Sequence, residues 1–218
     1  GYYRRARALQ AAAKVIDTEH GGVFPRDLDA ALSLPGVGPY TAGAVVSIAY
    51  DEPAPLVDGN VERVFARLFG LDGVRGSGPL TRACWDAARW FVARDADPVT
   101  PRVWNQALME LGALVCTPRN PDCDACPLAA QCVARAEGNP AGLPRPKPRR
   151  APTEVELEIY VVERSGRWLL EQRPDEGLMG GMWQFPTVEV TGSGLFPDEL
   201  VPPLSSRLEP AHDLIAIT

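Results

Sequence analysis

Leu34-Pro35-Gly36-Val37-Gly38-Pro39-Tyr40-Thr41 lies between two apolar segments and holds two prolines and two glycines within its first six positions. Leu28, Ala31 and Leu32 make an apolar turn before it, and Thr41 to Tyr50 is an Ala-rich apolar stretch of helical length after it. Two glycines two apart permit a hairpin with positive φ and leave backbone N–H groups bare at the start of the following helix. A helix N-terminus of that kind is a ready phosphate site. A tight turn between helices with no ligand fits the same residues, and the glycines alone leave the two readings level.

Working outward, the first 132 residues read as helical. Arg4 to Ile16 is rich in Ala, Leu, Arg and Lys, all good helix formers. Val61, Val64, Phe65, Leu68 and Phe69 recur at helical spacing and predict an amphipathic helix. Val57-Asp58-Gly59-Asn60 opens it. An Asp or Asn there is a good N-cap, the better-supported local reading, although a carboxylate on a rigid element also suits a catalytic anion. Ala83 to Val92 and Val103 to Leu114 predict two more helices, and no strand-like alternation interrupts the region.

Four of the five cysteines, Cys116, Cys123, Cys126 and Cys132, fall within one short segment with the spacing C-x6-C-x2-C-x5-C. Disulfide scaffolds spread their cysteines through a short secreted chain, so this clustering reads as metal binding. Four thiolates hold either a tetrahedral zinc or a [4Fe–4S] cluster, and the ligand set does not separate them. Cys84 stands apart and reads as packing.

After Cys132 the composition changes. Residues 138–153 carry five prolines and four basic residues after Leu143, which predicts an extended, semi-rigid linker. Beyond it Val155, Leu157, Ile159 and Val161 alternate with polar residues, a strand period. Arg167 to Arg173 reads as a second strand, with Ser165-Gly166 as the turn between them. The net charge of −6 is uneven: residues 1–132 hold 13 basic against 15 acidic side chains, and residues 154–218 hold 4 against 12. The acidity therefore belongs to the last third, and the helical part is near balance. No apolar run reaches the length of a membrane span.

Three motifs in order resemble one family. LPGVGPYTAGAV, VDGNVERVFAR and NQALMELGALVCTPRNPDCDACPLAAQC resemble the helix-hairpin-helix DNA glycosylases that carry an iron–sulfur cluster loop, and GYYRRARAL resembles the segment before their hairpin. The cluster spacing alone also fits endonuclease III. Residues 169–186, LLEQRPDEGLMGGMWQFP, look like the start of the C-terminal Nudix-like domain of the MutY-type adenine DNA glycosylases, which makes that branch the nearest resemblance.

The resemblance implies a mainly α glycosylase domain over 1–137 with a cluster loop at 116–132, a linker at 138–153, and an incomplete α+β Nudix-like domain over 154–218. It implies a monofunctional hydrolase of base-excision repair, acting as a monomer on double-stranded DNA with adenine opposite 8-oxoguanine or guanine. The adenine is extruded and its N-glycosidic bond cut, with oxocarbenium character developing at the sugar. Asp58 matches the family's catalytic Asp and Asn60 a polar partner of it. Gly36, Val37 and Gly38 match the hairpin that grips phosphate, and the four clustered cysteines match the ligands of a [4Fe–4S] cluster. Tyr40 stands where related lyases have a Schiff-base lysine. Arg119 is the basic residue of the cluster loop, and Thr218 matches the Ser or Thr that helps to read 8-oxoguanine.

The family's general acid, a Glu upstream of GYYRRARAL, has no counterpart among these residues. The chain is thus read as truncated at both ends, and by itself it is expected to be inactive. A cytoplasmic, nucleoid-associated, bacterial-type setting is the matching expectation. Two rivals share some of these features: a thymine- or uracil-mismatch glycosylase of the same superfamily, and a non-catalytic DNA-binding fragment. Nudix hydrolysis lacks its metal-holding helix, because Glu189, Asp198 and Glu199 are scattered among Pro and Gly.

Overall fold

The structure is a computed structural model that describes residues 3–93, 99–148, 151–152, 154–177 and 179–189. The chain divides into two compact units, Gly1–Pro148 and Arg149–Thr218. Among the described residues no helix is long and apolar enough to cross a membrane.

The first unit is helical. In order come α1 (Tyr3–Glu19), α2 (Leu28–Leu32), α3 (Pro39–Tyr50), α4 (Gly59–Leu68), α5 (Gly78–Val92), α6 (Pro101–Glu110) and the short α7 (Val133–Ala136). Caps and prolines explain the starts. Asp27 accepts from Ala30 N and opens α2, Thr100 accepts from Val103 N before Pro101, and Pro39 and Pro79 stand in the first turns of α3 and α5. The Ser77 cap starts α5 five residues before the expected Ala83.

Two apolar clusters hold the unit. One joins Leu56, Val57, Val61, Val64, Phe65, Leu80, Cys84, Ala88 and Leu108; the other joins Ala31, Ala42, Val46 and Ala54 beneath the hairpin. A polar bolt ties α6 to α3. Asn105 Nδ2 donates to Ser47 Oγ at 2.8 Å and to the Ala54 carbonyl at 2.9 Å, and Ser47 Oγ donates to the Gly43 carbonyl at 2.7 Å. Because Asn105 and Ser47 are both buried, these bonds fix the strap that leads into Asp58.

Three expectations change. The helix over 61–69 is not amphipathic in the usual sense: every residue from Val61 to Arg67 is buried, Glu62, Arg63 and Arg67 included. Its polar side faces protein groups rather than water. The helix expected over 103–114 becomes a π-turn at Leu111–Val115, where Arg63 takes the carbonyls of Gly112 and Cys116. The extended linker also begins later than expected, because Arg145 pairs with the 73–75 segment. Arg75 N donates to the Arg145 carbonyl at 2.8 Å and Arg145 N to the Gly73 carbonyl at 2.9 Å.

Among its described residues the second unit has three antiparallel pairs: β1 (Leu157–Ile159) with β6 (Thr187–Glu189), β2 (Glu163–Arg164) with β3 (Arg167–Trp168), and β4 (Glu171–Gln172) with β5 (Trp183–Gln184). Ser165 and Gly166, with φ of 53° and 73°, form the expected turn between β2 and β3. The strand expected at 167–173 breaks into β3 and β4. Leu157, Ile159 and Val161 are exposed, so the alternation seen in the sequence is not matched by burial among the described residues.

Candidate functional site: hairpin, capped carboxylate and thiol loop

The two hairpin glycines differ. Gly36 has φ of +71°, and a Cβ there would fall 2.5 Å from Ala8 Cβ, so both conformation and the packing of α1 require glycine. Gly38 is the N-cap of α3 with φ of −92° and ψ of 175°, ordinary extended backbone, and a Cβ there would meet nothing within 4 Å. Of the two glycines that permit positive φ, Gly36 alone adopts it. Val37 N donates to the Leu34 carbonyl at 3.1 Å, which closes the turn. No side chain caps the start of α3, so the N–H groups of its first turn face outward from an apolar base.

Asp58 is half-buried at the start of α4. Its Oδ1 accepts from Asn60 N at 2.8 Å and Val61 N at 2.7 Å, and its Oδ2 accepts from Asn60 Nδ2 at 3.0 Å. The cap reading is therefore observed in full. It also fixes the carboxylate in one orientation at the mouth of a buried helix, as an anionic site requires. Asn60 is itself oriented: its Oδ1 accepts from Arg63 Nη2 at 2.9 Å. Gly112 packs against it so closely that a Cβ would fall 2.7 Å from Asn60 Cβ.

Tyr40 is exposed, and its hydroxyl donates to Met109 Sδ at 3.8 Å. That contact puts it over α6, one turn before Gly112.

The four clustered thiols, of Cys116, Cys123, Cys126 and Cys132, line one small apolar cavity together with Val115, Pro121 and Ala129. Burial, and then the thiol neighbours, push the Cys123 thiol above its ordinary range. Asp122 and Arg135 also line the cavity; the four sulfurs together suit thiolate ligation and fit an iron–sulfur cluster. Arg67 Nη1 donates to Cys116 Sγ at 3.2 Å, a cation placed against one of the four sulfurs.

Arg63 and Arg67 were not singled out by the sequence, and they join the two sites. Arg63 Nε donates to the Cys116 carbonyl at 2.7 Å and Nη2 to the Gly112 carbonyl at 2.6 Å. Burial, and then the Arg67 charge, push its guanidinium below the ordinary arginine range. Arg67 Nη1 also donates to the Thr117 carbonyl at 2.7 Å, Nη2 to that of Pro118 at 2.9 Å and Nε to that of Leu143 at 2.9 Å. The available signal was two arginines four apart inside a helix whose neighbours are apolar. Arg119 is exposed at the tip of the loop that Arg67 anchors. Thr218 lies outside the described residues.

Residues 19–48 match the helix-hairpin-helix motif, and residues 116–132 match the iron–sulfur binding domain of endonuclease III. The chain is similar to an adenine DNA glycosylase of Arabidopsis thaliana, 41% identical over 86% of this chain and 31% of that protein. It is also similar to one from Mycolicibacterium smegmatis, 44% identical over 65% of this chain and 46% of that one. Relatives thus occur in a plant as well as a bacterium, and the bacterial-type setting gains no support from them. The chain spans about a third to a half of the length of these curated relatives. Among solved structures a thermostable thymine-DNA glycosylase shares the fold, with a TM-score of 0.50 and 33% identity over 61% of this chain and 59% of that one. The hairpin, the cluster-binding segment and these similarities agree, and the chain belongs to the helix-hairpin-helix, iron–sulfur DNA glycosylase superfamily.

Proposed function

We propose that the chain is part of an adenine DNA glycosylase of base-excision repair, acting on adenine opposite 8-oxoguanine or guanine in duplex DNA. The observation that carries this reading is the Asp58–Asn60–Arg63 constellation, a carboxylate held on two backbone amides and a side-chain amide, and oriented in turn by a buried guanidinium. Base removal builds positive charge on the sugar, and a preorganised anion stabilises that charge without reorganising. Asp58 supplies it, and Asn60 keeps it aimed. The bare amides of Gly38 and the first turn of α3 take a backbone phosphate, and Gly38, which the fold itself does not need, leaves room for one to approach. Arg119 adds a cation at the tip of the thiol loop.

Cys116, Cys123, Cys126 and Cys132 would hold the [4Fe–4S] cluster. When bound, it supplies a cross-link for a loop with little apolar content, and its redox chemistry has no part in hydrolysis. Tyr40, a hydroxyl where a lyase would need an amine, supports simple hydrolysis without strand cleavage. The second unit acts as the Nudix-like reader of the opposite base.

A thymine-mismatch activity has one observation in its favour, the thymine-DNA glycosylase fold neighbour. Against it, the adenine-glycosylase match covers 86% of the chain, more than the first unit alone can account for. Single-turnover assays of the protein at its full natural length test the choice, with A opposite 8-oxoguanine, A opposite G, and T opposite G. Adenine release, fastest opposite 8-oxoguanine, is expected. Thymine release without adenine release refutes the proposal.

A further inference from the structure

The loop between α4 and α5 is built rather than loose. Glu62, only 6% exposed, accepts from Gly76 N at 3.0 Å and from Thr81 Oγ1 at 3.2 Å. Arg75 N donates to the Arg145 carbonyl at 2.8 Å, Arg145 N to the Gly73 carbonyl at 2.9 Å, and Ser77 N to the Val74 carbonyl at 2.9 Å. Arg145 Nε is paired with Asp72 Oδ1 at 2.9 Å. The residue this frame displays is Arg75. Its side chain is exposed, and its guanidinium lies over Gly59, where a Cβ would fall 2.7 Å from Nη2 and 3.7 Å from Cζ.

Arg75 contrasts with its neighbours. Arg63 and Arg67 direct their donors at buried carbonyls. Among the described residues the Arg75 guanidinium has no carboxylate and no hydrogen-bond acceptor. A buried carboxylate and three backbone bonds hold the position of a guanidinium that lies over Gly59 and, among the described residues, has no carboxylate or hydrogen-bond acceptor. Gly59 follows Asp58 directly, so that side chain stands at the lip of the candidate site.

We infer that Arg75 is a DNA-phosphate contact, gripping the backbone beside the nucleotide whose sugar meets Asp58. This rests on the glycosylase reading above. A sugar brought to Asp58 carries a phosphate on each side, and guanidinium is the side chain best matched to phosphate oxygens. An uncompensated cation beside Asp58 would oppose the positive charge that builds on the sugar, whereas a phosphate seated on it cancels that opposition. Seating the DNA backbone and removing that opposition are then one event. Neither the hairpin nor the cluster loop supplies this contact.

The test compares the parent with Arg75→Gln and Arg75→Lys at full natural length. Fluorescence anisotropy reads binding of a duplex carrying non-cleavable 2′-fluoro-adenosine opposite 8-oxoguanine, from 50 to 200 mM salt, with melting temperature as the control for folding. Arg75→Gln is expected to melt like the parent, to bind about tenfold more weakly at low salt, and to show a salt slope smaller in magnitude by about 1. Arg75→Lys should restore most of both. Unchanged affinity, or weaker binding with an unchanged slope, overturns the assignment while the glycosylase reading stands. A parent that binds no duplex overturns the glycosylase reading itself, and this inference falls with it.

Discussion

The two hairpin glycines give a sharp prediction, because one answers to the fold and the other does not. Gly36→Ala must hold a side chain at φ of +71°, which costs about 1–2 kcal/mol. It must also fit a Cβ 2.5 Å from Ala8 Cβ, an overpacking worth about 1–3 kcal/mol. Together these make roughly 2–5 kcal/mol, or a melting temperature lower by about 5–15 °C for a domain of this size. Gly38→Ala meets neither problem. Alanine is a slightly poorer N-cap than glycine, but it also restricts the unfolded chain, and the two effects nearly cancel. Its methyl group would project beside the amides that open α3. Losing one charge-assisted phosphate bond there costs about 1.5–3 kcal/mol, roughly 10- to 100-fold in duplex affinity. Thermal unfolding and anisotropy on one duplex should therefore give opposite rankings: Gly36→Ala is the unstable variant, and Gly38→Ala is the stable one that binds poorly. Equal melting temperatures for the two would refute the packing argument, and parental affinity in Gly38→Ala would refute the phosphate role of α3.

Other outcomes follow from the same geometry. Asp58→Asn should preserve DNA binding and lower adenine excision at least about 100-fold in a single-turnover assay, at a cost of about 1 kcal/mol in stability, since Asn60 cannot turn its amide without losing Arg63. Excision near the parental rate would leave Asp58 as a cap and nothing more. Arg67→Lys should lower both melting temperature and iron content, because one ammonium cannot reach three carbonyls and a sulfur spread around a planar fork. Parental iron content in that variant would contradict it. Cys84, buried beside Glu62, has its thiol pushed up to about 12. Its folded value exceeds the unfolded one, so its contribution is complete below about pH 8.5 and declines as pH rises toward 12, by up to about 1.4 kcal/mol per pH unit. Cys84→Ala loses packing at every pH, so in urea titrations its stability difference from the parent should be constant below about pH 8 and change only in that alkaline window; a change between about pH 5 and 7 would show another cause.

What could be read in the sequence was what depends on near neighbours. The hairpin, the Asp58 cap and the cysteine spacing each act within a few residues, and each carries a local chemical requirement that composition alone displays. Periodicity found α4 but misjudged its environment. A polar stripe of Glu62, Arg63 and Arg67 looks the same whether it faces water or buried carbonyls. The partners that decide the matter, Gly112, Cys116, Thr117 and Leu143, are 49 to 76 residues away along the chain. The Pro-rich stretch misled for a related reason: Arg145 pairs with backbone near Gly73, and proline content says nothing about such a partner. Nor could G-x-G reveal which glycine is strained, since only the approach of Ala8 and the left-handed turn distinguish Gly36.

The misjudged face of α4 is also the part that connects the sites. Buried guanidinium groups cost a great deal unless every donor is met, and Arg63 and Arg67 are met by the chain on both sides of Cys116. The thiol loop is therefore fastened to the helix that Asp58 caps, through Arg63 and Arg67. On the proposed reading a cluster in that loop would serve hydrolysis without reacting: ordering residues 116–132 fixes the Cys116 carbonyl that Arg63 takes, Arg63 fixes Asn60, and Asn60 aims the carboxylate. The glycine at 112 belongs to the same chain of dependence, because any side chain there would push Asn60 away. On the proposed reading activity thus rests on contacts well removed from the hairpin, and damage to the thiol loop should reach Asp58 through α4 before it reaches the start of α3.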